Sequence, residues 1–190
     1  MNAFEFFFTL FGLILGLAVA VVISGLSDLL RSRDHAPIGH LTPMLAMVVL
    51  FDVAAVWINS WSGLSDVAIA YGPFFAALVV AGLYFFAASM AFPKNAGEWA
   101  SLDDYYMGHH RAVLGALLAA NVGMVAIEAA TAGRWTAVLD HFTRAGLTSA
   151  LWWTVLAALC VLPRKSAQRI GLCLLLLIDV YATAAFWQPQ

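Results

Sequence analysis

Long apolar runs recur along this chain, and they set the strictest limit on its fold. In hydrocarbon no water satisfies backbone amides and carbonyls, so a lipid-exposed chain must be helical or form a closed barrel. A membrane-spanning helix needs about 20 predominantly apolar residues. Six such segments can be drawn within the 190 residues. They run over about Phe4–Leu30, Thr42–Ser60, Ala68–Phe92, His110–Thr131, Leu147–Leu162 and Ile170–Trp187. With short connections they consume nearly the whole length, so the expected fold is all-α: a single six-helix transmembrane domain over residues 1–190. Composition agrees, because 63% of residues are hydrophobic and only 11% charged, against roughly a quarter charged in soluble domains.

Local signals place the boundaries. The first segment opens with Glu5 rather than a basic stretch and stays apolar too long for a cleaved signal peptide, so it reads as retained. Thr42-Pro43 offers an N-cap followed by an N1 proline for the second span. Pro73 falls in the first turn of the third span and Pro93 ends it. Ser101-Leu-Asp-Asp resembles a capping box, so the fourth helix is expected to begin ahead of the membrane, level with Tyr105 and Tyr106. Between Arg134 and Arg144, Trp135, Val138, Leu139 and Phe142 repeat at helical spacing, which predicts a short interfacial helix between spans four and five.

The cations fix an orientation. Arg31, Arg33, Lys94, Arg111, Arg164, Lys165 and Arg169 flank one side of a six-span arrangement, whereas Arg134 and Arg144 flank the other. By the positive-inside rule the populated side is cytoplasmic, and both termini lie on the non-cytoplasmic side of a plasma or inner membrane. The formal charge of −2 gives no basic footprint for nucleic acid. The partners implied are the lipid bilayer and, through small-residue faces, a second copy or another membrane subunit. Gly12, Gly16, Ala20 and Ser24 recur every four residues in the first span, and Gly115, Ala119 and Gly123 in the fourth. Such lines let helices approach closely, and packing inside the same bundle is the simpler expectation.

Within this frame the informative residues are the polar ones at mid-depth. Counting about 1.5 Å per helical residue, Asp52, Asn121 and Asp179 each lie roughly 15 Å from the cytoplasmic end of their spans, at the centre of a bilayer about 30 Å thick. An ionisable group there costs roughly 3 kcal/mol on insertion scales. No Lys or Arg lies within a span to neutralise these acids. A lone carboxylate in hydrocarbon is stabilised by taking up a proton or by gathering neutral donors. Such acids suit proton relay or cation binding, or they serve as interhelical hydrogen bonds alone. Glu128, nearer the outer end of the fourth span, is a candidate for an outer vestibule. The segments Leu50-Phe-Asp-Val-Ala-Ala and Leu177-Ile-Asp-Val-Tyr-Ala echo each other around the two acids, as duplicated transporter halves do.

Other chemistries have less purchase. His35, His40, His109 and His110 gather on the cytoplasmic side beside Asp34, Asp103 and Asp104, but their spacing fits no zinc pattern, and they are weak metal candidates. Cys160 and Cys173 make no CxxC. No GxSxG, HExxH or Walker pattern occurs, which weighs against an enzyme. A b-type haem would want axial histidines inside the spans. Trp57, Trp61, Trp99, Trp135, Trp152, Trp153 and Trp187 are expected at interfaces, although aromatic side chains would also suit a quinone or carotenoid, and the cofactor is left open. The leading expectation is a small transporter or channel-like protein for a proton, cation or small polar solute. An accessory subunit of a larger membrane complex comes second, and a membrane enzyme or pigment-binding protein third.

Overall fold

The computed structural model describes residues 3–31, 39–64, 71–131 and 136–185, with the backbone alone described for 3, 4, 6, 61–64, 96 and 136–145. Every long element is a helix: α1 (Ala3–Arg31), α2 (Leu41–Leu64), α3 (Tyr71–Met90), α4 (Leu102–Thr131), α5 (Thr136–Val161) and α6 (Lys165–Ala185). A 3-10 turn, Ala96–Glu98, precedes α4. His35 and its loop, the side chain of Trp61, the side chains of the 134–144 segment and Trp187 lie outside the described residues, and α2 runs four residues past the expected end of the second span at Ser60.

Five helices (α1, α2, α3, α4 and α6) are long and apolar enough to cross a membrane. Their outward faces are apolar as well as their inward ones: Leu13, Ile58, Phe75, Ile170 and Leu177 all stand exposed. A helix apolar on every side belongs in lipid, so the chain is an integral membrane protein in contact with the bilayer. The apolar part of α5, Gly146–Val161, is shorter than the other five. It is set off by Gly146, whose φ of 69° and ψ of −169° interrupt the helix in a region that only glycine visits readily.

Neighbouring helices form a ring in the order α1, α3, α4, α5, α6, α2, and α2 also reaches across to touch α3 and α4. The core lies inside that ring. Phe11, Leu15, Leu45, Tyr84, Leu117 and Leu172 are among its fully buried side chains.

The first turns of α4 tie the ring together at one end. Ser101 caps α4 itself, its hydroxyl accepting from the Asp104 amide at 3.2 Å and donating to the Asp104 carboxylate at 2.6 Å. Asp103 caps a different helix. Its Oδ1 accepts from the amides of His40 at 3.1 Å and Leu41 at 2.9 Å, at the start of α2. Thr42, expected as that cap, instead sits inside the first turn and donates to the Leu102 carbonyl at 3.1 Å. Asp104 pairs with Lys165 of α6 at 2.5 Å. The Tyr105 hydroxyl meets the Met90 and Phe92 carbonyls where α3 ends. The Tyr106 hydroxyl donates to Gln168 Oε1 at 2.6 Å, while Gln168 Nε2 donates to the Leu159 and Leu162 carbonyls that close α5. Four consecutive side chains, 103 to 106, therefore hold the ends of α2, α6, α3 and α5.

The small-residue ridge of α1 is the main departure from expectation. The face of α1 turned into the bundle is Phe7, Phe11, Leu15, Ala18 and Val22, whereas Gly16, Ala20 and Ser24 are exposed. Only Gly12 of that line is covered, by the Trp57 indole, whose Cη2 would stand 2.7 Å from an added Cβ. In α4 likewise Ala119 is exposed, and Gly123 alone of its line meets a neighbour, Val80. The larger apolar side chains on the adjacent stripe of α1 win the interior because they bury more area.

Candidate functional site

Inside the ring, α2, α3 and α4 bring three polar side chains together. Asp52 is 5% exposed and Tyr84 fully buried. Asn121 Nδ2 lies 2.9 Å from Asp52 Oδ2, 3.1 Å from the Tyr84 hydroxyl and 3.0 Å from the Leu117 carbonyl. The Tyr84 hydroxyl also acts on the Asp52 carboxyl. A carbonyl can only accept, so the Asn121 atom facing Leu117 is the nitrogen, and the same nitrogen faces Asp52. An amide nitrogen has two hydrogens for these three oxygens. With one of these hydrogens on Asp52, Asn121 shares the other between the phenol oxygen and the Leu117 carbonyl, and the phenol is free to turn its own hydrogen toward Asp52.

Asp179 enters from α6, which packs directly on α2. Its charge reaches Asp52 as the weakest of the influences on that acid, after burial, Asn121 and Tyr84. On its other side the Trp152 indole of α5 interacts with it. The contact falls short of hydrogen-bond geometry, and both Trp152 Nε1 and Asp179 Oδ2 are buried without a bonded partner. Each acid is thus faced by a neutral N–H from another helix, Asn121 for Asp52 and Trp152 for Asp179. The side chains acting on Asp52 are Asn121, Tyr84 and Asp179, and none of them is a cation.

Of the residues singled out from sequence, Asp52, Asn121 and Asp179 fall in this one region. Glu128 does not: seven residues beyond Asn121 in an unbroken α4, it is displaced by about 10 Å along the axis. Among the described residues the histidines do not gather into a metal site. His40 is exposed, His109 stacks on Tyr105 at 4.3 Å with Trp99 edge-on, and His110 points to Tyr106. Among the described residues no group of three or more His, Cys, Asp or Glu side chains is placed to hold a metal ion. His110 Nδ1 lies 2.8 Å from the Met107 carbonyl, which leaves Nε2 buried and unpartnered.

Two members of the cluster were not singled out from sequence. Tyr84 sits well inside an apolar span, where its hydroxyl must find a partner, and that requirement was the available signal. Trp152 was assigned to an interfacial belt, but it is only 7% exposed and its ring lies inside the bundle. Its neighbour Trp153 has the same sequence surroundings, so nothing local separates the two.

Fold and composition together define a polytopic helical membrane protein with one buried carboxyl, Asp52, and a second, half-buried one, Asp179, on the adjoining helix. No protein-family model matches the chain, no curated protein matches it, and no solved structure matches its fold.

Proposed function

We propose that this chain is a small transporter or channel-like protein for a proton, cation or small polar solute, acting through Asp52 and Asp179 with Asn121 as their neutral partner. The observation that carries this reading is a buried acid on α2, held by neutral donors instead of a cation, with a second, half-buried acid on the adjoining helix within electrostatic reach. A bundle that needed only a packing bond would be served by one amide or hydroxyl, worth about 0.6 kcal/mol, without the penalty of ionisable groups at mid-depth.

The same reading takes the apolar part of α5 as a sixth, short span, the 136–145 helix as lying on the membrane surface, and both termini as non-cytoplasmic. The helix break at Gly146 and the sorting of basic residues support that topology. Glu128 would line the outer approach. Flux in proteoliposomes tests the function: Asp52→Asn and Asp179→Asn should each lower flux at least about tenfold relative to wild type, the effect of losing roughly 1.4 kcal/mol at the carrying site. An identical leak in all three proteins, for every ion and across pH, would remove the reading.

A second reading, a subunit of a membrane complex, is favoured by one observation, the outward-facing line of Gly16, Ala20 and Ser24. It predicts that Gly16→Leu leaves the monomer folded and abolishes a cross-linked or co-purified species.

A further inference from the structure

Proton, metal ion and polar solute make different demands on a pair of acids. A hard metal ion exchanges its water for about six oxygen ligands, whose negative ends must converge on it. A proton needs one carboxyl oxygen, an ionised state that the surroundings can tolerate, and a route for the hydrogen to the next oxygen.

The polar atoms around Asp52 and Asp179 are turned the wrong way for a metal. Asn121 presents Nδ2, with an orientation fixed by the Leu117 carbonyl, and the positive end of its N–H dipole points at Asp52. The indole nitrogen of Trp152 can only donate, and it lies against Asp179. A bare cation between either acid and its neighbour would face those positive ends. The oxygens left over, the two carboxyls, the Tyr84 phenol and Asn121 Oδ1, belong among the described residues to no group of three or more acids, histidines or cysteines placed to hold a metal ion. They do suit a hydrogen passed among carboxyls and phenol, because each can donate in one state and accept in the other.

From this polarity we infer that the species carried at the Asp52–Asp179 site is the proton, exchanged between carboxyl oxygens held by Asn121, Tyr84 and Trp152, and not a metal cation. The inference rests on the transport reading above and narrows it. The groups facing the acids are Tyr84 from α3, Asn121 from α4, Trp152 from α5 and the two acids themselves on α2 and α6.

The experiment runs two readouts on the full chain. In proteoliposomes, an entrapped pH dye follows proton entry while radiotracer sodium and rubidium are followed in parallel. In the same membranes, infrared difference spectra follow the protonated-carboxyl stretch assigned by its loss in Asp52→Asn and Asp179→Asn. Proton flux without tracer flux is expected, with a carboxyl band that disappears as pH rises and is unmoved by sodium, potassium or calcium at fixed pH. Trp152→Phe should shift the Asp179 band and slow proton flux about tenfold, because it removes the neutral N–H that faces that carboxyl. If that variant fails to fold, Tyr84→Phe gives the same readouts at Asp52. Tracer flux dependent on both acids, or displacement of the carboxyl band by a metal ion at fixed pH, would overturn the inference while leaving the transport reading standing. No flux of any kind, with a band indifferent to pH, would overturn both.

Discussion

Asn121 shows how much a single neutral side chain can do where charges are unwelcome. Its nitrogen joins α4 to α2 through Asp52 and to α3 through Tyr84, and its own helix backbone sets which way the amide faces. Asn121→Leu removes the donor and leaves Asp52 buried with only the phenol. The expected loss is about 1–3 kcal/mol, the penalty for an unsatisfied buried group. Tyr84→Phe keeps the Asn121 contact and should lose less, about 0.6 kcal/mol. Unfolding in mixed detergent micelles reads both, and the double variant should fall short of the sum because the two share a partner. Gly39 makes a second case at this scale. Its φ of 62° lies where side chains are strained, and an added Cβ would run into the Asp103 carboxyl that caps α2. Gly39→Ala should therefore destabilise by about 1 kcal/mol or more, whereas Gly16→Ala, with open space around it, should be near neutral in the same assay.

Among the elements, α4 has a distinct task. Its first turns supply the cap of α2, the ion pair to α6, the hydroxyl closing α3 and the tyrosine that positions Gln168 over the end of α5. The last four carbonyls of any helix lack partners within that helix, and at a membrane boundary they compete poorly for water. Gln168 answers this for α5 while being fully buried itself. Gln168→Leu would leave the Tyr106 hydroxyl and two carbonyls without partners, and about 2–3 kcal/mol of stability should be lost, read by the same unfolding measurement. Gln168→Glu tests the directionality: an acid cannot donate to the two carboxyl-terminal carbonyls when ionised, so it should not rescue. The capping box at Ser101 was legible in sequence because its residues are three apart and act on their own helix. The role of Asp103 was not, since its target lies 62 positions away in the chain.

For the whole molecule, a ring of helices with α2 bridging across it buries the acid of α2 inside the bundle and carries the acid of α6 on a helix that packs against α2. The two sequence echoes around Asp52 and Asp179 therefore lie on neighbouring helices. That arrangement is the basis for expecting Asp52→Asn and Asp179→Asn to impair flux together, and a flux defect confined to one of them would restrict the carrying site to a single carboxyl. Sequence alone determined the helical, membrane-embedded character of the chain, because a backbone in lipid must bond to itself whatever its neighbours are. It also put Asp52, Asn121 and Asp179 inside helical segments, since the apolar runs that hold them can be read from residue order alone. Rotation about each helix axis cannot. Which stripe turns inward depends on the shapes of all facing side chains at once, and so only the tertiary structure decided that Trp152 lies inside, that the Gly16–Ala20–Ser24 line looks outward, and that an asparagine nitrogen, not a cation, stands against Asp52.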